Sequence, residues 1–117
     1  MAHTDPAEFR RGIDLINRGE FFDAHEVLED VWRAASESER KFFQGLVQVA
    51  VGFHHHSRGN LMGCRSLLER AHRNLSAYPA HHEGLDLAAL RQLLTDWCEA
   101  LDHGDALPSF PKLQLHV

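Results

Sequence analysis

With 117 residues, 44% of them hydrophobic and 25% charged, the chain has the size and composition of one folded domain rather than of a disordered segment. A net charge of −5 with no long run of Lys or Arg argues against nucleic acid and against anionic membrane surfaces, both of which select a basic footprint. Cys64 and Cys98 form no CxxC pair and fall on apolar helix faces, as buried thiols of a reducing cytoplasm do. Met1 to Gly12 lacks the apolar stretch of a secretory leader, and Leu46 to Phe53 is too short to span a bilayer, so a cytoplasmic location is expected.

The first predicted helix opens at Asp5-Pro6-Ala7-Glu8, a capping signal with proline at the first helical position. Phe9, Ile13 and Ile16 form its apolar face, and Arg18-Gly19 ends it. The second runs from about Glu20 to Ala35 with Phe21, Ala24, Leu28, Val31 and Ala35 at helical spacing. Ser36-Glu37-Ser38-Glu39 is a turn and a further capping signal. The third helix follows to about Ser57 and, as the most apolar, is expected at the centre. Arg58-Gly59-Asn60 breaks the chain before a fourth helix carrying Cys64, Leu67, Leu68, Ala71, Leu75 and Tyr78. After a polar loop from Pro79 to Gly84, Leu87, Leu90, Leu94, Trp97 and Leu101 make the seam of a fifth, which Gly104 and Pro108 stop. Alternating Leu113, Leu115 and Val117 predict an extended C-terminal tail laid on the helices.

Shifted by forty positions, the chain partly matches itself. Gly12 falls on Gly52, Arg18-Gly19 on Arg58-Gly59, Ala24 on Cys64, and Leu28-Glu29 on Leu68-Glu69. These are the turn, small and core positions of a helix–turn–helix unit. The predicted fold is all-α: a single domain over residues 1–117, a compact bundle of about five helices. Two tandem αα-hairpins make up the bundle, with a capping helix and the extended tail.

One polar stripe interrupts this core-building pattern. His25 and Glu29 are four apart on one helix face, with Trp32 one turn further. On the third helix Gln44, Gln48 and His55 lie within about forty degrees of one another at a hundred degrees per residue. Polar groups on buried faces need partners, at a cost of about 1–3 kcal/mol when they have none, and the two stripes are candidates for each other. Three readings are open: a satisfied hydrogen-bond network of His25 with Glu29 or Gln48 under Trp32, a metal site, or a small-molecule or peptide pocket. As a metal site, His25 and Glu29 would be ligands for a divalent transition metal, and His55 the candidate third, because zinc takes at least three protein ligands. His25-Glu26-Val27-Leu28-Glu29 lacks the second histidine of an HExxH protease, and Glu69-x-x-His72 is one motif where a di-iron bundle uses two. His81-His82-Glu83 reads as loop surface.

The run from Asn17 to Trp32, with its His25-x-x-x-Glu29-x-x-Trp32 core, resembles the signature of an uncharacterised family of bacteria and archaea, domain-of-unknown-function family 309. Gln44-Gly45-Leu46-Val47-Gln48 and the stretch from Gly59-Asn60 to Leu75 also look like family segments. The resemblance implies an all-helical fold and a motif of functional, metal-binding character, with no reaction or substrate attached. Two functions therefore fit. The first is a metal- or ligand-binding pocket between the second and third helices. His25 and Glu29 would be its ligands or acid/base pair, Trp32, Gln44 and Gln48 its wall, and metal-assisted hydrolysis the reaction if it is an enzyme. The alternative is a non-catalytic helical-hairpin module that engages a protein partner or a second copy, the stripe serving only to fix helix register.

Overall fold

A computed structural model describes residues 5–116, and the terminal positions, Val117 of the alternating tail among them, lie outside the described residues. Helix α1 spans Pro6–Asn17, and Asp5 caps it by accepting from the Ala7 N–H at 2.9 Å. Gly19, at φ 76°, turns the chain into α2, Phe21–Ala34. Ala35 is extended, and the Ser-Glu turn that follows holds a short 3₁₀ turn, Glu37–Glu39, before α3 begins at Arg40 and runs to Ser57. Asn60 caps α4, Leu61–Leu75, by accepting from Gly63 N–H at 2.9 Å. The polar loop after α4 opens a short hairpin, β1 His81–His82 with β2 Leu85–Asp86, in the register His81↔Asp86 and His82↔Leu85. Its turn needs left-handed backbone at both Glu83 and Gly84. Asp86 then caps α5, Leu87–His103, which ends on Gly104 at φ 67°.

The forty-residue repeat is structural. In the first turn the N–H groups of Arg18, Gly19, Glu20 and Ala24 donate to the carbonyls of Asp14, Ile16, Leu15 and Glu20. In the second, Arg58, Gly59, Asn60 and Cys64 donate to His54, His56, His55 and Asn60, each partner displaced by forty (58 against 18, 54 against 14). The close helix crossings repeat as well: a Cβ on Gly12 would meet Leu28, and one on Gly52 would meet Leu68. Gly19 and Gly59 share the same positive φ. The small residues Ala24 and Cys64 are both fully buried.

Each helix packs chiefly on its neighbours in the chain, with α3 between α2 and α4 and α5 laid on α4. Phe42, Phe43, Leu46, Val49, Ala50 and Phe53 of α3 form the centre of the core, as its apolarity predicts. The radius of gyration is 13.3 Å, close to the ~13 Å of a compact domain of about a hundred residues. From Asp105 to His116 the chain has neither helix nor strand, and its Leu113 and Leu115 rest against the core.

Candidate functional site

On α2 the imidazole Nε2 of His25 lies 3.0 Å from Glu29 Oε2, and Nδ1 faces the Phe22 carbonyl at 3.3 Å. The second Glu29 oxygen receives the Arg33 guanidinium, which also reaches Asp30 at 3.3 Å. His25 and Glu29 retain 26% and 29% of their side-chain exposure, so the pair is open to solvent from the helix surface. Phe22, half exposed, brings its ring within 5.6 Å of His25 and 5.3 Å of His54.

The other stripe residues point elsewhere. Gln48 accepts from the Asn74 amide of α4 at 2.9 Å, and His55 faces Asn60 in the α3–α4 turn at 3.5 Å. Gln44 is half-buried on α3. Gln48 and His55 thus take their partners from α4 and from the α3–α4 turn, not from the α2 stripe. Trp32 is half-buried beneath the Arg40 guanidinium, 5.1 Å from the ring centre. Its indole N–H is buried without a hydrogen-bond partner among the described residues.

The second hairpin repeats this bonding with different side chains. Forty residues on, Arg65 takes the place of His25, Glu69 of Glu29 and Arg73 of Arg33, and Glu69 accepts from both arginines, at 3.3 Å from Arg73. Arg65 also grips Asp102 of α5 in a two-bond fork at 3.0 and 2.9 Å and holds that carboxyl below the usual carboxylate range. Glu69 faces arginines and His72 lies near Ser76, so the Glu-x-x-His spacing makes no metal pair. Cys64 is a buried thiol pushed up to about 11, chiefly by that burial, and burial raises Cys98 too.

Among the described residues, one trio of His, Cys, Asp or Glu side chains brings its ligand atoms within 4.8 Å of one another: Glu39, His82 and Glu83. His82 Nε2 sits 2.9 Å from both Glu39 oxygens, and its ring is walled by Phe42 and Tyr78, each at 4.8 Å. Partial burial, then the Glu39 carboxylate, raise Glu83 above the ordinary carboxylate range. Sequence reasoning treats His82 as loop surface. Its only local signal is the His81-His82-Glu83 run, and the partner is 43 residues away.

No helix among the described residues is long and apolar enough to cross a membrane. The chain is 30% identical over 81 residues to an uncharacterized protein of Aquifex aeolicus (strain VF5), covering 68% of this chain and 24% of that protein. It is 32% identical over 93 residues to the uncharacterized protein YpuF of Bacillus subtilis (strain 168), covering 77% of this chain and 53% of YpuF. The chain therefore spans about a quarter and about half the length of these relatives. The sequence model described as "Domain of unknown function (DUF309)" matches residues 9–67, which take in both helical hairpins to the middle of α4 and the whole His25–Trp32 segment, and the chain belongs to that family.

Proposed function

We propose that the domain is a non-catalytic interaction module. At equivalent places on α2 and α4 it presents an exposed apolar side chain beside a cation–carboxylate–cation ladder, and this face docks a protein partner. The observation that carries this reading is the repetition of the ladder, His25–Glu29–Arg33 in one hairpin and Arg65–Glu69–Arg73 in the other. A guanidinium ligates no metal, so the second copy supports reading the ladder as a helix-surface arrangement that needs none. Three residues before each ladder stands a large exposed apolar residue, Phe22 at 51% and Met62 at 86%. Single exposed apolar residues are ordinary, but here the same placement recurs in both hairpins. The family's occurrence within longer proteins suits a module, and the lone thiols suit the cytoplasm.

The test places a photo-crosslinking residue at position 22 or 62 in the native cell, with Lys41, exposed on α3, as control. Capture of one and the same protein from both positions is expected. Capture no greater than at position 41 overturns the reading.

A second reading rests on one observation. His25 and Glu29 are already aligned at 3.0 Å and open to solvent, so one cation would reach both once Arg33 swings away. His25, Glu29 and waters or a partner's group would then hold a divalent transition metal, and metal-assisted hydrolysis is the chemistry such an open site supplies. The test is the metal content of tag-free protein beside His25→Ala/Glu29→Gln of confirmed fold. Stoichiometric metal lost in the variant establishes this reading, and protein that takes up no added zinc, manganese or iron sinks it.

A further inference from the structure

The segment after α5 is held by its main chain. Asn17, the last residue of α1, donates its side-chain N–H to the Leu113 carbonyl at 2.7 Å and accepts from the Leu113 N–H at 2.6 Å. An amide side chain thus takes both main-chain groups of one residue, as a neighbouring strand would. Trp97 Nε1 donates to the Ser109 carbonyl at 3.0 Å, and His116 N–H donates to the Gly84 carbonyl at 2.8 Å. Such bonds select an extended backbone and are indifferent to most side chains.

Side-chain preference comes from three places. Lys112 Nζ lies 2.5 Å from the Asn17 carbonyl, at the negative end of α1, whose last turn has no cation of its own. Leu113 and Leu115 rest on the core, and Phe110 stacks on Trp97 at 5.5 Å. Yet the segment underfills its bed. A cleft of about 690 Å³ opens between it and α5, beside Ala89, Leu90 and Leu93, and another of about 230 Å³ lies on the α1 side by Ile13 and Asp14. Phe110 stays 41% exposed and Leu107 40%. Although Phe110 also packs on Phe21 and Phe53, room remains beside the segment for bulkier side chains than it supplies.

We propose that the groove running from Asn17 of α1 to α5 and the hairpin is a binding site for an extended peptide of another protein. That peptide would carry a cation followed by bulky apolar residues at alternate positions, and residues 107–116 are its intramolecular stand-in. The proposal is independent of the α2 and α4 ladders, which lie on other helices.

The experiment uses the full chain and a fluorescent peptide with the sequence of residues 107–116, read by anisotropy. Leu113→Asp in the chain unseats the resident segment, so this variant should bind the probe at least about tenfold more tightly than wild type. Adding Asn17→Ala removes the clamp and should reverse that gain, since two hydrogen bonds of ordinary strength correspond to about tenfold. A scrambled peptide should not bind. Probe affinity equal in wild type and Leu113→Asp, or equal for the scrambled peptide, overturns the proposal. Amide exchange in wild type decides independently of whether the variant folds: Leu113 and His116 should exchange much faster than the core of α3. Equal protection would make the segment part of the global fold and refute the groove. A wild-type dimer formed by exchanging these segments would assign the groove to a second copy and refute the separate partner.

Discussion

The two hairpins give a paired experiment in which the same substitution meets different room. At Gly12 an added Cβ would stand 2.5 Å from Leu28 Cδ2 and 2.7 Å from Cγ, against the 3.5–4.0 Å at which carbon atoms normally touch. Leu28 is fully buried, so the overlap of about 1 Å must be met by shifting its branch point or by parting α1 from α2. Overpacking of that kind costs about 1–3 kcal/mol, and alanine returns about 1 kcal/mol of helix propensity. Because the overlap reaches the Leu28 branch point as well as its terminus, the cost stands in the upper part of that range, about 2–3 kcal/mol, and the net expectation for Gly12→Ala is a loss of about 1–2 kcal/mol. At Gly52 the nearest atom is the Leu68 Cδ2 terminus at 2.9 Å, and the next two lie at 3.4 Å, so a few tenths of an ångström suffice. There the two effects nearly cancel. Thermal unfolding followed by circular dichroism reads the difference. At about 4 °C per kcal/mol for a domain of this size, Gly12→Ala should lower Tm by about 4–8 °C and Gly52→Ala by less than about 4 °C. A Gly52→Ala variant less stable than Gly12→Ala, or an unchanged Gly12→Ala, would refute the claim that glycine–leucine contact sets the spacing within each hairpin.

Cys64 should resist a thiol reagent at pH 8 in the folded protein and react once urea exposes it, because burial holds its thiol up at about 11; reaction at an unfolded-chain rate would contradict its burial. For Glu83, whose carboxyl is raised in the folded state, the stability it contributes is complete below its ordinary value of 4.5 and lost as pH rises through the raised value. Glu83→Gln should therefore have a higher urea midpoint than wild type at pH 7, with the gap closing at pH 4; a gap that widens on acidification would reverse the sign. His25→Ala should shift Tm by no more than about 4 °C, since a solvent-open pair contributes about 0–1 kcal/mol; a loss of 10 °C would make the stripe a core network instead.

Local chemistry wrote most of the helices legibly. Asp5 before Pro6, Asn60 after Gly59, and Gly104 after a leucine seam each set a boundary through a cap or a left-handed residue, and such signals act within one turn. The repeat was legible too, because turn glycines and paired small residues recur at one spacing. The stripe's partners were not. Periodicity says that Gln48 and His55 share a face of α3, but which neighbour that face meets depends on how α4 crosses it, through contacts as distant as Leu75 against Gly45. Asn17 carries no signal at all, since a polar residue at a helix end is ordinary and its partner is 96 residues away. His82 turns inward only because a two-residue hairpin, with Glu83 in left-handed backbone, aims it between Phe42 and Tyr78.

The duplication separates scaffold from specialisation within the His-x-x-x-Glu-x-x-Trp motif. Glu29 has a counterpart in Glu69 with the same two cationic partners, so the carboxylate belongs to what both hairpins need to hold a helix surface. His25 and Trp32 have no such counterparts, as Arg65 and His72 stand in their places. The difference in chemistry is specific. A guanidinium at position 65 reaches across to Asp102 and ties α4 to α5, whereas the shorter imidazole at position 25 stays on its own helix beside the exposed Phe22. An indole at position 32 brings a buried N–H that nothing among the described residues satisfies, whereas His72 has Ser76 one turn on. An unsatisfied buried donor costs about 1–3 kcal/mol, and the fold retains it on the hairpin that also keeps its histidine free of a second helix. Within the motif, His25 and Trp32 are thus the side chains that the first hairpin has and the second lacks. Exchanging Trp32 for His, the residue of the second copy, should remove the unpartnered indole donor while leaving the ladder through Glu29 standing.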